Sequence, residues 1–170
     1  GPRAGTPQKI ERLEGAGFDA VVGNPPYDVL SSEELGYDVS DDLAFYEAAP
    51  LYEPAIRGKK NLYKLFICRG VQSMSATGSC SFIVPMMLLG DDQAAAVRRM
   101  LIEKTGLVAV EAFPQKDDPR RRVFPEAKLA TTIFVARGAT TNRPFTVRTH
   151  SGAGIEILSP RLTVSTSEIS

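Results

Sequence analysis

The chain has 170 residues, 43% of them hydrophobic, enough to bury one sizeable core. Its 20 basic and 20 acidic residues cancel, so there is no global field for phosphate, and any nucleic-acid contact must come from local charge. With no run of about 18 apolar residues, no signal-peptide pattern and two cysteines without metal or redox spacing, membrane insertion and export are not expected, and reduced thiols in a cytoplasm are.

Residues 1–17 read as a lead-in whose Gly1-Pro2 looks like a protease-cleavage scar. Gly15 and Gly17 come before a strand rather than after one, so they do not form a phosphate-cradling turn. Phe18, Ala20, Val21 and Val22 predict a buried central strand, and Pro25-Pro26 must end it because neither proline can donate a ladder hydrogen bond. Proline fixes its own φ and biases its predecessor toward extended backbone, so Asn24 and Pro25 are held with little freedom where open α/β sheets place ligands. Asn-Pro and Pro-Pro also make ordinary turns. Residues 28–60 follow, carrying Tyr37, Tyr46 and Tyr52 among Glu33, Glu34, Asp38, Asp41, Asp42, Glu47 and Glu53. This acidic stretch predicts short helices without a strand, and reads as a mobile flap or a surface insert.

Asn61 to Met74 predicts a helix with Leu62, Tyr63, Phe66, Ile67, Gly70, Val71 and Met74 inward, Gly70 allowing close approach to a sheet. Cys80 to Pro85 is the next buried strand. Asp91 and Asp92 suit the cap and first turn of a helix that turns Ala94, Val97, Met100 and Leu101 inward and stops near Gly106. Strands at Leu107–Phe113 and Ala130–Ala136 complete a β-α-β-α-β-β order. Between them lie Lys116, Arg120, Arg121, Arg122 and Lys128, positive charge able to grip a nucleic-acid backbone, or simply a solvated loop. Pro125 suggests that Phe124 stands in that loop; the alternative is a plug in the core. After about residue 138 the pattern gives two short strand-like runs, Phe145–Thr149 and Ile155–Leu158, then a polar, frayed tail from Ser165. His150 stands alone and reads as a surface residue.

Phe-Asp-Ala-Val-Val-Gly-Asn24-Pro25-Pro26-Tyr27, a strand running into this tetrapeptide, resembles the catalytic signature of S-adenosylmethionine-dependent amino-methyltransferases, in the form found in N6-adenine DNA methyltransferases. Val123-Phe124-Pro125-Glu126-Ala127-Lys128 narrows the resemblance to the gamma class, including fused, type IIG-like restriction–modification enzymes of prokaryotes, where an insert like 28–60 is usual. The implied fold is α/β: a partial Rossmann-like methyltransferase, the second half of a mixed, mostly parallel sheet with flanking helices. Residues 18–138 would be the catalytic half of that domain, and 139–170 its end and the start of a linker toward a target-recognition region. The strand, glycine-rich turn and ribose-binding acid that would hold most of the cofactor have no counterpart before Phe18. The fragment is therefore expected to be inactive alone, with weak cofactor binding and an open strand edge that invites dimerisation.

The resemblance implies methyl transfer from S-adenosylmethionine to N6 of an adenine flipped out of double-stranded DNA, in a restriction–modification or phage-defence system. Asn24, Pro25, Pro26 and Tyr27 would form the catalytic corner: the Asn24 side chain and the Pro25 backbone each offer a carbonyl to an amino N–H, and Asn24 borders the cofactor. Tyr27 would stack on the base, a contact worth about 1–3 kcal/mol, and Phe124 would cover its second face. No metal is implied. Alternative readings are N-methylation of a protein glutamine or an RNA base, or a non-catalytic DNA-binding module.

Overall fold

The computed structural model describes residues 17–139 and 143–165. The predicted scar and lead-in up to residue 16, Gly15 included, the middle of the 139–144 connection and the tail from residue 166 lie outside the described residues.

In chain order the elements are β1 (Phe18–Gly23), α1 (Ser32–Leu35), α2 (Ser40–Ala48), α3 (Glu53–Ile56), α4 (Leu62–Ser73), β2 (Met74–Pro85), α5 (Met87–Gly90), α6 (Ala95–Lys104), β3 (Gly106–Phe113), β4 (Thr131–Arg137), β5 (Phe145–Thr149) and β6 (Arg161–Val164). The strands form one six-stranded sheet in the order β1-β2-β4-β3-β5-β6. β1 runs parallel to β2 and β3 to β5, while β4 is antiparallel to both β2 and β3, and β6 to β5. β1, β2, β3 and β5 thus share one direction, so the sheet is mixed with most strands parallel, a partial Rossmann-like α/β arrangement. β4, inserted between β2 and β3, makes two antiparallel ladders and β6 a third, so three of the five ladders are nevertheless antiparallel.

Helices α4 and α6 pack on one face. There β2 presents Cys80, Phe82 and Val84 and β4 presents Phe134 and Ala136, all buried. Gly70 lets α4 come close: a Cβ at that position would lie 2.6 Å from the Phe82 ring, nearer than any side chain tolerates. In α6 the residues expected inward, Val97, Met100 and Leu101, are buried, as is Ala94 just before it, and the Asp91 carboxylate caps the turn by accepting from the Gln93 N–H at 2.9 Å.

Helix α4 differs from its periodic reading. Phe66 is exposed, whereas Lys64 is 1% exposed. The helix is covered on a second side by α3 and the turn at Pro50–Tyr52, so its buried arc is wider than one sheet-facing stripe. Lys64 exploits that wedge: its ammonium donates to the Arg57 carbonyl (3.3 Å) and the Gln93 carbonyl (3.0 Å), and burial pulls its pKa below the ordinary lysine value.

β1 is not a buried central strand. Among the described residues it pairs only with β2, and Phe18 and Val22 are 57% and 80% exposed. Nothing described covers its second face, so apolar residues suited to a core are left at an open edge, in keeping with the expected free edge.

The 28–60 excursion is short-helical and strand-free, as its composition suggests. It begins and ends at the same place: Val29 bridges Asn61, the Leu30 N–H donates to the Lys60 carbonyl and the Leu62 N–H to the Asp28 carbonyl, both at 2.8 Å. Leu30, Val39, Tyr52 and Ala55 are buried, and Tyr46 and Tyr52 meet edge to face at 4.8 Å.

Two expectations near the end of the chain are overturned. Ile155–Leu158 is not a strand. Glu156 organises a turn there, accepting from the Ser151 N–H (3.1 Å) and the Ser159 hydroxyl (3.2 Å), which leaves Ile155, Ile157 and Leu158 exposed, and the last strand starts only after Pro160. His150 is not at the surface but fully buried. Its Nδ1 accepts from the Glu156 N–H at 3.0 Å, so the neutral ring carries its proton on Nε2 and donates to Glu111 at 2.7 Å, while the ring stacks on Phe113. No helix among the described residues is long and apolar enough to cross a membrane.

Candidate active site

At the carboxyl end of β1 the chain turns out of the sheet through Asn24-Pro25-Pro26-Tyr27. Pro25 is buried, Asn24 and Pro26 are exposed, and Tyr27 is half-buried. The tyrosine returns to the sheet: its hydroxyl lies 3.3 Å from the Ile83 carbonyl on β2 and 3.1 Å from Asn24 Oδ1, and can donate to either. The contact to Oδ1 turns the amide oxygen toward the tyrosine hydroxyl. An amide oxygen has two lone pairs, so one acceptor position stays open. The Pro25 carbonyl accepts no hydrogen bond from any described residue. Burial pushes the Tyr27 hydroxyl up to about 12, which keeps the ring neutral at any physiological pH. The corner thus combines two carbonyl oxygens that keep acceptor capacity among the described residues with a neutral aromatic ring.

The structure brings Phe124 to this corner. It sits half-buried in the loop between β3 and β4, where Pro125 occupies the second position of a turn closed by the Ala127 N–H donating to the Phe124 carbonyl at 3.1 Å. The Tyr27 and Phe124 ring centroids are 6.3 Å apart at an interplanar angle of 67°. Two rings sandwiching a third plane need to be parallel and about 7 Å apart, twice the separation of carbon atoms in contact. Here they touch edge to face, so an entering plane would have to rotate Phe124 rather than Tyr27, whose hydroxyl is tied to the sheet.

With the geometry fixed, comparison with known proteins decides the family. A match to the Eco57I restriction-modification methylase family covers residues 6–118. The chain belongs to that family. It is 27% identical over 118 residues to the type II methyltransferase M.AccI of Acinetobacter calcoaceticus, covering 69% of this chain and 20% of that protein. It is 32% identical over 123 residues to M.TthHB8I of Thermus thermophilus, covering 71% of this chain and 26% of that enzyme. The chain therefore spans about a fifth to a quarter of these curated relatives. The solved structure of the type IIG restriction endonuclease BpuSI superposes with a TM-score of 0.64 and 15% identity over 92% of this chain and 20% of that one, a likeness of fold. In this Eco57I-family chain the matched stretch contains Asn24 to Tyr27 and ends just before the arginine run and Phe124.

The basic residues read from the sequence are distributed unevenly around the corner. Lys116 is exposed, and its side chain is bonded to no described residue. Lys128 pairs with Asp117 at 3.6 Å and Arg120 with Asp118 at 3.3 Å, both exposed and of little energetic weight. The Arg121 guanidinium reaches across to the Ser151 carbonyl. Arg122 is turned inward: Nε donates to the Lys116 carbonyl (2.6 Å), and the two terminal nitrogens to the carbonyls of Pro125 (3.0 Å) and Asp117 (3.3 Å).

Sequence reasoning missed a half-buried ion pair and the buried histidine beside it. Glu111 on β3 takes His150 on one oxygen and Arg148 on the other at 3.5 Å. A carboxylate inside the otherwise apolar run Leu107–Phe113 was the available signal. Separate from the corner, on the helix-covered face, an apolar cavity of about 260 Å³ is lined by Leu88, Leu101, Leu107, Val110, Phe134 and Phe145. Among the described residues no group of acidic, histidine or cysteine side chains could hold a metal.

Proposed function

We propose that this chain is the base-holding part of an adenine-specific DNA methyltransferase that modifies N6 within a restriction–modification or phage-defence system. The observation that carries the reading is the meeting of Tyr27 and Phe124, 6.3 Å apart, beside an exposed Asn24 whose Oδ1 lies 3.1 Å from the Tyr27 hydroxyl. A base flipped out of double-stranded DNA would slide between the rings, about 1–3 kcal/mol of stacking per ring offsetting the few kcal/mol lost on unstacking it.

The adenine amino group is a poor nucleophile because its lone pair is delocalised into the ring. Asn24 Oδ1 and the Pro25 carbonyl would accept its two N–H bonds, favouring the pyramidal nitrogen and stabilising the positive charge that grows on it. Diproline stiffness fixes the Pro25 carbonyl, and the Tyr27 hydroxyl, 3.1 Å away, orients Asn24 Oδ1 before the substrate arrives, so little reorganisation is needed during reaction. S-adenosylmethionine, when bound, supplies an electrophilic methyl group on a sulfonium and departs as a neutral thioether. The methylated nitrogen then loses its extra proton to water. The described residues fit only the rim of that cofactor: the exposed Asn24 amide N–H₂, bonded to no described residue, suits a polar contact from it.

The BpuSI likeness and a likeness to the DrdV–DNA complex, with a TM-score of 0.62, support DNA as the substrate. The test is methyl transfer by the full-length protein to duplex DNA, RNA and glutamine-containing protein. Transfer to DNA adenine alone is expected; transfer only to RNA or protein overturns the proposal.

A further inference from the structure

We infer that Arg122 is a positioning residue that clasps the loop carrying Phe124 and so sets the movable wall of the base slot, rather than a residue that grips phosphate. The inference rests on the adenine reading of the site.

The loop between β3 and β4 has little core to hold it: from Pro114 to Ala130 no residue is fully buried. Polar contacts take the place of burial. Gln115 Oε1 accepts from the Asp117 N–H at 3.1 Å, and the Asp118 carboxylate caps the short helical turn by accepting from the Arg120 N–H at 3.0 Å. Arg122 closes the loop. Its three nitrogens bind carbonyls on both sides of Phe124, those of Lys116 and Asp117 before it and that of Pro125 after it. A guanidinium is a planar fork with five donors, so it can hold carbonyls in several directions at once, whereas an ammonium is a point charge on a flexible stem.

The three bonds hold the backbone on either side of Phe124, and none of them reaches its side chain. That division suits a slot whose empty form has the rings edge to face. A guanidinium already committed to three carbonyls is poorly placed to neutralise a phosphate, unlike Lys116, whose ammonium is exposed and bonded to no described residue. Arg122 is also half-buried, where Arg120 and Arg121 are exposed.

The test uses Arg122→Lys and Arg122→Ala in the full-length protein. The methylated site is first mapped, and 2-aminopurine is placed there as a fluorescent report of the extruded base. Three measurements are made on each variant: hydrogen exchange of the amides of 116–127, the salt dependence of DNA binding, and kcat with the 2-aminopurine signal. The expected result is faster amide exchange, an unchanged salt slope, kcat lower by about 10- to 100-fold and a weaker 2-aminopurine signal, with lysine failing to rescue. A phosphate role gives the opposite: the alanine variant loses about one unit of salt slope, and lysine restores both slope and rate. Either that pattern or unchanged exchange overturns the clasp. Failure of the adenine reading is separate, since wild-type protein would then methylate no DNA adenine whatever Arg122 does to the loop. Because the loop lies outside the core, both variants should stay folded; global unfolding would overturn the local role.

Discussion

The two walls of the proposed slot are held by different physics. Tyr27 belongs to a corner whose stiffness is covalent: two prolines fix the backbone, Pro25 is buried, and the tyrosine hydroxyl is anchored to β2. Phe124 belongs to a loop held by side-chain hydrogen bonds to carbonyls, with no buried residue of its own. One wall is a fixed jaw and the other an adjustable one, and the asymmetry suits a site that must close on a base after it arrives.

The comparison can be broken most severely at the fixed jaw. Asn24→Ala removes an oriented acceptor and is expected to lower kcat by about 100-fold or more, measured by methyl transfer to mapped DNA; activity within a few-fold of wild type would mean that the corner does not polarise the amino group. Next come the two rings. Tyr27→Ala and Phe124→Ala should each weaken handling of the extruded base by about 5- to 150-fold, the equivalent of 1–3 kcal/mol. They should separate in thermal unfolding: Tyr27 packs against the core cluster, so its loss lowers Tm, whereas loss of Phe124 leaves Tm nearly unchanged. Equal Tm losses would erase the distinction between the jaws.

A third effect is alkaline instability. Burial raises Tyr27 from 10.0 to about 12 and, in the core behind it, Cys68 and Cys80 from 9.0 to about 12 and about 11. Each folded-state value is raised, so between the unfolded and folded values the unfolded chain has already lost its proton while the folded one keeps it. The stability associated with these groups is therefore intact below about pH 9, erodes above it and is gone past about pH 12. Urea unfolding across that range should show the decline, and Tyr27→Phe should flatten its upper part from pH 10. A decline of equal slope in Tyr27→Phe would show that the hydroxyl is not desolvated. The smallest effect is expected for Pro25→Ala, whose gain in unfolded-state freedom is about 0.4–1 kcal/mol; it should reduce kcat only a few-fold, with DNA affinity preserved.

The fixed jaw could be read from the sequence because its determinants are local. Consecutive prolines after an apolar run specify a strand end without knowledge of anything distant, and Ala94, Val97, Met100 and Leu101 repeat with the period of a helix that has one buried face. The adjustable jaw was legible only in part. Phe124 stood out as an aromatic before a proline, but the partners of Arg122 are backbone carbonyls, which every residue has, so nothing in the letters distinguishes a clasp from a cationic patch. His150 was misjudged, and Lys64 passed over, for a related reason: each is buried against groups far along the chain, and a polar residue shows its burial only when those groups are seen. The edge position of β1 could not be read from its own residues, because Phe18, Val21 and Val22 suit a central strand equally well.

The bridge between Val29 and Asn61 governs where this chain can accept extra length. The acidic excursion leaves and rejoins the body at one point, yet Leu30, Val39, Tyr52 and Ala55 anchor it in the core and α3 covers α4, so only its exposed turns are free to vary in length. Doubling a flexible turn costs only about 0.6 kcal/mol in closure entropy. Gly36, Tyr37 and Asp38, all exposed, are thus the natural point for a longer or differently charged segment, one that leaves the core anchors on either side in place.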